Sequence, residues 1–273
     1  MENYKDKFDK LYNLYGVNYS GITHDFNLNR DLNEKYLEAF SFFKEIENHE
    51  ALEILEIGAS VGHACKLFPN YAGVEYSQKA VDIGKSIYGK EINLIQSDAR
   101  KLPFANKSKG FVFSINVLEH VPEPNLALDE LIRITHPGGY VYLDPAYNCR
   151  KYTIKKLEVR HYSELGLFDK FEKLMIPFFN NLIFRAVVAM PTRIYLEILM
   201  VVSNKPVNLI YKKLNPNFEL IEKYGHVSDD DAFSSFDKHS ILIYYLSRKC
   251  NVIGYNSLFN RIISRTGPII IKL

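Results

Sequence analysis

The stretch LEIGASVGHA, residues 55–64, decides the fold. The apolar run Leu52–Ile57 reads as a short buried strand, and it leads straight into a turn carrying Gly58 and Gly62. Glycine lets a backbone approach a ligand closely and adopt positive φ, so the N–H groups of such a turn can face a polar group. The dinucleotide pattern GxGxxG needs glycine at 58, 60 and 63, but those positions hold Gly58, Ser60 and His63. A triphosphate loop needs Gly-Lys-Ser or Gly-Lys-Thr, which is absent. Glu56 and the two glycines leave an acidic-x-Gly-x-Gly-x-Gly pattern with Ser60 in the middle glycine's place.

Outward from this turn the pattern alternates. Val61–Phe68 suits a helix, Tyr71–Tyr76 a second strand and Lys79–Ile87 a helix. Asn93–Gln96 is a third strand and Gly110–Asn116 a fourth. Asn125–Thr135 is a helix ending at Pro137-Gly138-Gly139, and Tyr140–Leu143 is a fifth strand. Such alternation predicts right-handed crossovers and a doubly wound, mostly parallel α/β sheet covered on both faces. Tyr36, Leu37, Phe40, Phe43 and Ile46 recur near a 3.6-residue period, which makes residues 1–50 an N-terminal helical segment with Asp31 as an N-cap. Residues 51–149 form the core. Residues 150–225 break the alternation and read as a helical cap or insertion. In residues 226–273 a helix, Lys238–Arg248, and strands at Val252–Tyr255 and Gly267–Lys272 return the chain to the sheet.

The later strands carry the chemistry. Glu75 ends the second strand, where a carboxylate can accept both hydroxyls of a ribose. QSDARKLPF (96–104) follows the third strand, SINVLEHVPEP (114–124) the fourth, and LDELIRITHPGGYVYLD (128–144) runs from helix to fifth strand. Together with the opening loop, these segments resemble class I S-adenosylmethionine (SAM)-dependent methyltransferases over residues 50–147. The resemblance implies a Rossmann-like sheet of seven strands with the last antiparallel, and SAM as cofactor. It implies that Glu56, Gly58, Ala59, Ser60, Gly62, Glu75 and Tyr76 hold the cofactor. Asp98 would take the adenine amine, Ala99 would offer its N–H to the ring, and Asn116, Val117 and His63 would lie beside the methionine half. Gly110 stands where the family often has an acidic residue. The C-terminal helix, strand, basic turn and strand resemble methyltransferases of bacterial surface-polysaccharide (capsule and O-antigen) gene clusters. That implies O-methylation of a sugar or a phosphorylated or nucleotide-linked sugar precursor.

A hydroxyl acceptor needs a base that titrates near neutrality, which points to histidine. His161 and His120 rank first, ahead of His63 and His226. The run Asp229-Asp230-Asp231 invites a metal, but consecutive carboxylates diverge on most backbones. A solvated turn or N-cap ahead of Phe233 is the expectation, and no metal is assigned. Asp144-Pro145-Ala146-Tyr147 resembles the Asp-Pro-Pro-Tyr box of amino methyltransferases, yet it follows the fifth strand and not the fourth. The basic and aromatic run from Tyr147 to His161 suits an anionic acceptor or a solvated helix face.

Composition narrows the rest. A net charge of +2 with 24% charged residues gives no field that argues for nucleic acid. Cys65, Cys149 and Cys250 form no CxxC, which suits reduced thiols in a cytoplasmic protein, and the first residues hold no apolar run of signal-peptide type. The apolar segment 174–202 is interrupted by Arg185, Arg193, Glu197, Pro177 and Pro191. It predicts buried or interfacial helices rather than a transmembrane one, leaving a cap, a homodimer surface or peripheral lipid contact. Three competing readings stay open: a methyltransferase for a lipid, quinone or metabolite, a non-catalytic adenosine-binding module, and an NAD-dependent sugar enzyme.

Overall fold

The computed structural model describes residues 4–16, 30–227 and 229–273. Along the chain, α1 (Lys5–Tyr15) and α2 (Arg30–Glu45) precede β1 (Ile54–Ile57) and β2 (Tyr71–Glu75). Then come α3 (Gln78–Tyr88), β3 (Leu94–Gln96), β4 (Lys109–Ile115), α4 (Pro124–Ile134) and β5 (Thr135–Asp144). The next elements are α5 (Lys151–Ile154), α6 (Leu167–Asn180), α7 (Leu182–Val202), β6 (Tyr211–Lys213) and α8 (Phe218–Tyr224). Finally come β7 (Ser234–Phe236), α9 (Lys238–Leu246), β8 (Asn251–Val252), α10 (Leu258–Ile263) and β9 (Ile269–Lys272).

The chain divides into two compact units. One comprises Met1–Leu118, Asn125–Pro145 and Pro268–Leu273, the other Glu119–Pro124 and Ala146–Gly267. The main sheet has seven strands. The six in the first unit run β3-β2-β1-β4-β5-β9, all parallel except β9, which pairs antiparallel with β5. The expected doubly wound, mostly parallel sheet is therefore present. Every residue of β1 and β4 is buried, as strands covered on both faces require. β1 lies between β2 and β4, so the strand order reverses there, and ligands of open α/β sheets sit beyond the carboxyl ends at such a point.

An aromatic layer fixes this sheet. Tyr36, Ala39 and Phe43 lie on one face of α2 and are buried in the same cluster as Phe68, Phe111 and Phe113. The Phe68 and Phe113 rings stack with centroids 4.6 Å apart.

Two local expectations change. Val61–Phe68 forms only a short 3-10 turn at His63–Lys66, because Gly62 is left-handed (φ 80) just ahead of it and Pro69 follows. Asp31 lies within α2 as described, so it is not the residue ahead of the helix. The division into compact units groups the segments in another way. The N-terminal helices belong to the first unit, and residues 226–267 to the second. The physical reason lies on α7: buried Arg193 pairs with Asp237 at 2.7 Å, and Glu197 is bonded by His239 (3.0 Å) and Arg261 (2.8 Å). These pairs tie α9 and α10 to α7. Pro177 and Pro191 both lie inside helices, and α6 and α7 meet at an angle of 88° beside Asn181, whose side chain caps Phe184 N–H at 3.0 Å.

Candidate active site

At the carboxyl edge of the first unit's strands lie Gly58, Ala59, Ser60, Glu75, Tyr76, Asp98, Ala99 and Asn116. At the end of β1, Gly58 and Ala59 donate to Val74 O, both at 2.9 Å, which locks the turn onto β2. Gly58 has φ 73, and a Cβ there would lie 2.2 Å from Val117 Cγ2, so neither conformation nor space admits a side chain. Ser60 also adopts a left-handed conformation, φ 50. It does there what the expected glycine would do, and its hydroxyl accepts from Tyr12 of α1 at 2.9 Å.

Glu75, at the end of β2, organises the loop. One carboxylate oxygen accepts Ser60 N–H at 2.9 Å and the other accepts Ser77 N–H at 2.9 Å. Ser77 caps α3, and Asp9 of α1 accepts from Ser77 Oγ and from Lys79 N–H (3.0 Å). The N-terminal helix is thus tied to both sides of the turn. Tyr76 meets Phe8 of α1 edge to face, with ring centroids 6.0 Å apart.

After β3, Asp98 is half-buried and held by Arg100, whose Nη2 lies 2.7 Å away and whose backbone N–H donates at 2.9 Å. Burial alone would raise this carboxyl, but the Arg100 bonds and charge outweigh it and hold Asp98 below its ordinary value. Ala99 sits in the same half-buried turn. After β4, Asn116 is left-handed (φ 52) and donates its N–H to Asp144 O at 3.0 Å.

Glu56 and His63 have surroundings of their own. Glu56 is 1% exposed, and both its carboxylate oxygens take tyrosine hydroxyls, Tyr36 Oη at 2.6 Å and Tyr71 Oη. Burial pushes the Glu56 carboxyl up to about 7 even though both hydroxyls favour the charged form. His63 is buried, and its Nδ1 meets the Tyr88 hydroxyl.

The edge also holds residues that sequence reasoning missed. Lys35 of α2 donates to Asn116 Oδ1 at 2.8 Å and pairs with Asp144 Oδ2 at 3.0 Å. Asp144 is buried and stands beside Ile115 in the β4–β5 register. The strand pairing itself was the available signal, because the carboxyl ends of adjacent parallel strands lie side by side.

The two histidines ranked as bases belong to the second unit. His161 is exposed, and its Nδ1 caps the turn Tyr162–Glu164 through Ser163 (Oγ 2.8 Å). His120 lies between carboxylates, with Nδ1 3.2 Å from Asp231 Oδ1 and Nε2 3.6 Å from Glu119 Oε1. His226 Nδ1 meets Asp230 Oδ1 at 2.8 Å. The expectation of a solvated acidic turn is overturned, since Asp230 is 0% and Asp231 1% exposed. Lys156, itself buried, is the reason: it reaches Asp230 in an ion pair. Much of the basic run is likewise committed to structure. Lys155 pairs with Asp169 (2.8 Å) and Glu172 (2.5 Å), and Tyr147 Oη donates to Gly267 O at 3.0 Å.

Comparison with known proteins agrees with this geometry. Residues 55–143 match the family described as methyltransferase domain. A protein of Mycolicibacterium vanbaalenii named only as an uncharacterized methyltransferase is 30% identical over 102 residues, 36% of this chain and 40% of that protein. Another so named, from Schizosaccharomyces pombe, is 35% identical over 104 residues, 32% of this chain and 37% of its own length. The chain thus spans about two fifths of the curated relatives it matches. Among solved structures, a SAM-dependent methyltransferase from Thermotoga maritima aligns at 23% identity over 56% of this chain and 66% of its own, with a TM-score of 0.40. The matched segment runs from β1 into β5, so the likeness to a methyltransferase domain falls on the strands whose carboxyl ends carry the site.

Glu56 also sets a pH dependence. Its folded pKa, about 7, lies above its ordinary 4.5. Its contribution to stability is therefore fully present below about pH 4.5 and is lost as pH rises through 7, at up to about 1.4 kcal/mol per pH unit for one proton. Glu56→Gln should flatten the fall in unfolding free energy across this window, measured by urea denaturation at a series of pH values. An unchanged slope would contradict this account of the buried carboxylate.

Proposed function

We propose that the protein transfers the methyl group of SAM to a hydroxyl of an anionic small molecule, a sugar or phosphorylated sugar. The observation that carries the first half is the continuous edge running from Gly58 through Glu75 and Asp98 to Asn116, beyond the strand-order reversal. Glu75 is the proposed ribose partner. It lies beside the turn that it already orders through Ser60 N–H. Asp98 is the proposed partner of the adenine amine, a role that requires its Arg100 pairing to open or to share the carboxylate. Glu56 is proposed to act indirectly, by fixing β1 against α2 and β2.

Methyl transfer is an in-line displacement, so the protein's task is alignment of the nucleophile and removal of its proton. Both ring nitrogens of His120 face carboxylates. We therefore assign proton removal to His161, whose Nδ1 is engaged by Ser163 and whose Nε2 is the nitrogen left to exchange a proton. Support for an anionic acceptor comes from arginines of the second unit. Arg150 is held below its ordinary value by burial and by the charge of Arg185, and Arg265 by burial and by the charges of Arg193 and Arg185. Like charges that close favour a bound anion. A role in surface-polysaccharide synthesis is part of this proposal and rests on the resemblance of the C-terminal segment.

A lipid-borne acceptor is the second reading, favoured by one surface. The outward stripe of α6 is apolar throughout: Leu167, Phe168, Phe171, Leu174 and Phe178 are 58–90% exposed. On α7, Leu182, Ile183, Val187 and Val201 continue in the same character. A monomer in water rarely leaves such a patch uncovered. No single helix among the described residues is long and apolar enough to cross a membrane. Arg185 lies within α7 among these residues, so an anionic bilayer surface is the proposed occupant.

Mass spectrometry of the protein incubated with SAM and a panel of sugar nucleotides and sugar phosphates tests the reaction, and one added methyl group on an acceptor is the expected result. Glu75→Ala should weaken SAM binding by about 1.5–3 kcal/mol in calorimetry, and an unchanged affinity would count against its role. His161→Ala should lower turnover while leaving SAM affinity intact; a normal rate with the true acceptor removes it as base. In co-sedimentation with anionic vesicles, the wild type should pellet and Phe168→Ser/Phe171→Ser should not. A wild-type dimer that ignores vesicles would replace the bilayer with a second copy.

A further inference from the structure

The acidic loop that proved to be buried has one carboxylate without an ordinary partner. Glu119 is 0% exposed, and neither of its carboxylate oxygens makes a hydrogen bond among the described residues. The N–H groups of Ala146 and of Glu119 itself approach it without reaching hydrogen-bond geometry. An isolated buried carboxylate is costly, so such a group either holds a proton or faces a cation. It faces two further donors. One ligand atom from each of Glu119, His120 and Asp229 falls in a cluster whose members all lie within 4.8 Å of one another. His120 Nε2 and Glu119 Oε1 are 3.6 Å apart. Two ligands of one ion bound at about 2.0–2.2 Å sit at about that spacing.

The surroundings fit the chemistry of a metal site. Asp231 Oδ1 lies 3.2 Å from His120 Nδ1. A carboxylate on one ring nitrogen orients the imidazole and directs the lone pair of the other to a metal. Asp230, in contrast, is already answered: Lys156 and His226 pair with it, and Val227 N–H donates to it at 2.8 Å. The second group of nearby donors, His226, Asp230 and Asp231, is therefore committed to structure. The backbone holds the first group in place. Phe233 N–H donates to Glu119 O at 2.9 Å and Ser234 Oγ to Val121 O at 3.1 Å, so the strand after the aspartates is fastened to the Glu119 turn. Asp229 occupies a left-handed conformation, φ 64, at the start of the turn. Glu119 closes the inner side, while the half-buried His120 and Asp229 leave the outer side reachable.

We propose that Glu119, His120 and Asp229 form a site for a first-row divalent cation, with Asp231 orienting the imidazole. Two carboxylates and one imidazole suit manganese or zinc better than calcium, whose ligands are all oxygen. Three protein donors leave positions for water or for an oxygen of a bound molecule. The proposal stands apart from the SAM reading, because the donors all belong to the second unit and binding is measured without cofactor.

Mn²⁺ titrated into the full chain, followed by calorimetry and electron paramagnetic resonance, tests it. One Mn²⁺ per chain is expected, with a rise in Tm on loading. Glu119→Gln and Asp229→Asn should each weaken binding on the order of tenfold or more. A nitrogen coupling in the pulsed spectrum should vanish in His120→Gln. Should Glu119→Gln fail to fold by circular dichroism, Asp229→Asn, which is less buried, carries the test. Wild-type protein that binds neither Mn²⁺ nor Zn²⁺ overturns the proposal, as does unchanged affinity in the folded variants. A metal-free Glu119→Gln with raised Tm, beside a wild type unmoved by Mn²⁺, would identify a protonated carboxyl instead.

Discussion

The first unit depends on a carboxylate that water does not reach. Glu56 lies on β1, takes a hydroxyl from Tyr36 on α2 and another from Tyr71 at the start of β2, and so joins a helix and two strands at one point. A buried carboxylate without partners costs several kcal/mol, so neither tyrosine can leave without penalty. That constraint sets the position of α2 over the sheet. It brings Lys35, the residue before Tyr36, to Asn116 and Asp144 at the ends of β4 and β5. The turn after β1 then inherits its position from the strand. Gly58 packs on Val117, and Glu75 secures Ser60 from the neighbouring strand.

The parallel sheet was legible because burial on both faces favours apolar residues, and β1 and β4 are mostly apolar, with only Glu56 in β1 and Lys109 and Ser114 in β4 as buried polar exceptions. The placement of Glu75 and Asp98 was legible for a related reason: Glu75 is the last residue of β2 and Asp98 follows β3 after one residue, and the carboxyl ends of parallel strands lie along one edge. Ser60 was readable only in part. Its identity departed from the glycine pattern, yet the fold gives it the left-handed conformation that glycine would have taken.

What escaped the sequence depends on side chains that meet across long separations. Nothing local marks Tyr36 as the partner of Glu56, 20 residues on, or Lys35 as the partner of Asn116, 81 residues on. The three aspartates looked like a solvated turn because their neutralising lysine stands 74 residues from Asp230. The 3-10 turn after Gly62 has the apolar spacing of a longer helix, and that spacing does not register a left-handed residue at its start. The outward apolar stripe of α6 has helical period like any buried face. Only the structure tells which way it points.

Calorimetric titration of the purified chain with SAM, S-adenosylhomocysteine and NAD is the most direct measure of the central claim. The account predicts that SAM and S-adenosylhomocysteine bind with one-to-one stoichiometry and that NAD does not compete. Binding of NAD in preference to SAM, or no heat with either methyl-cycle ligand, would contradict it.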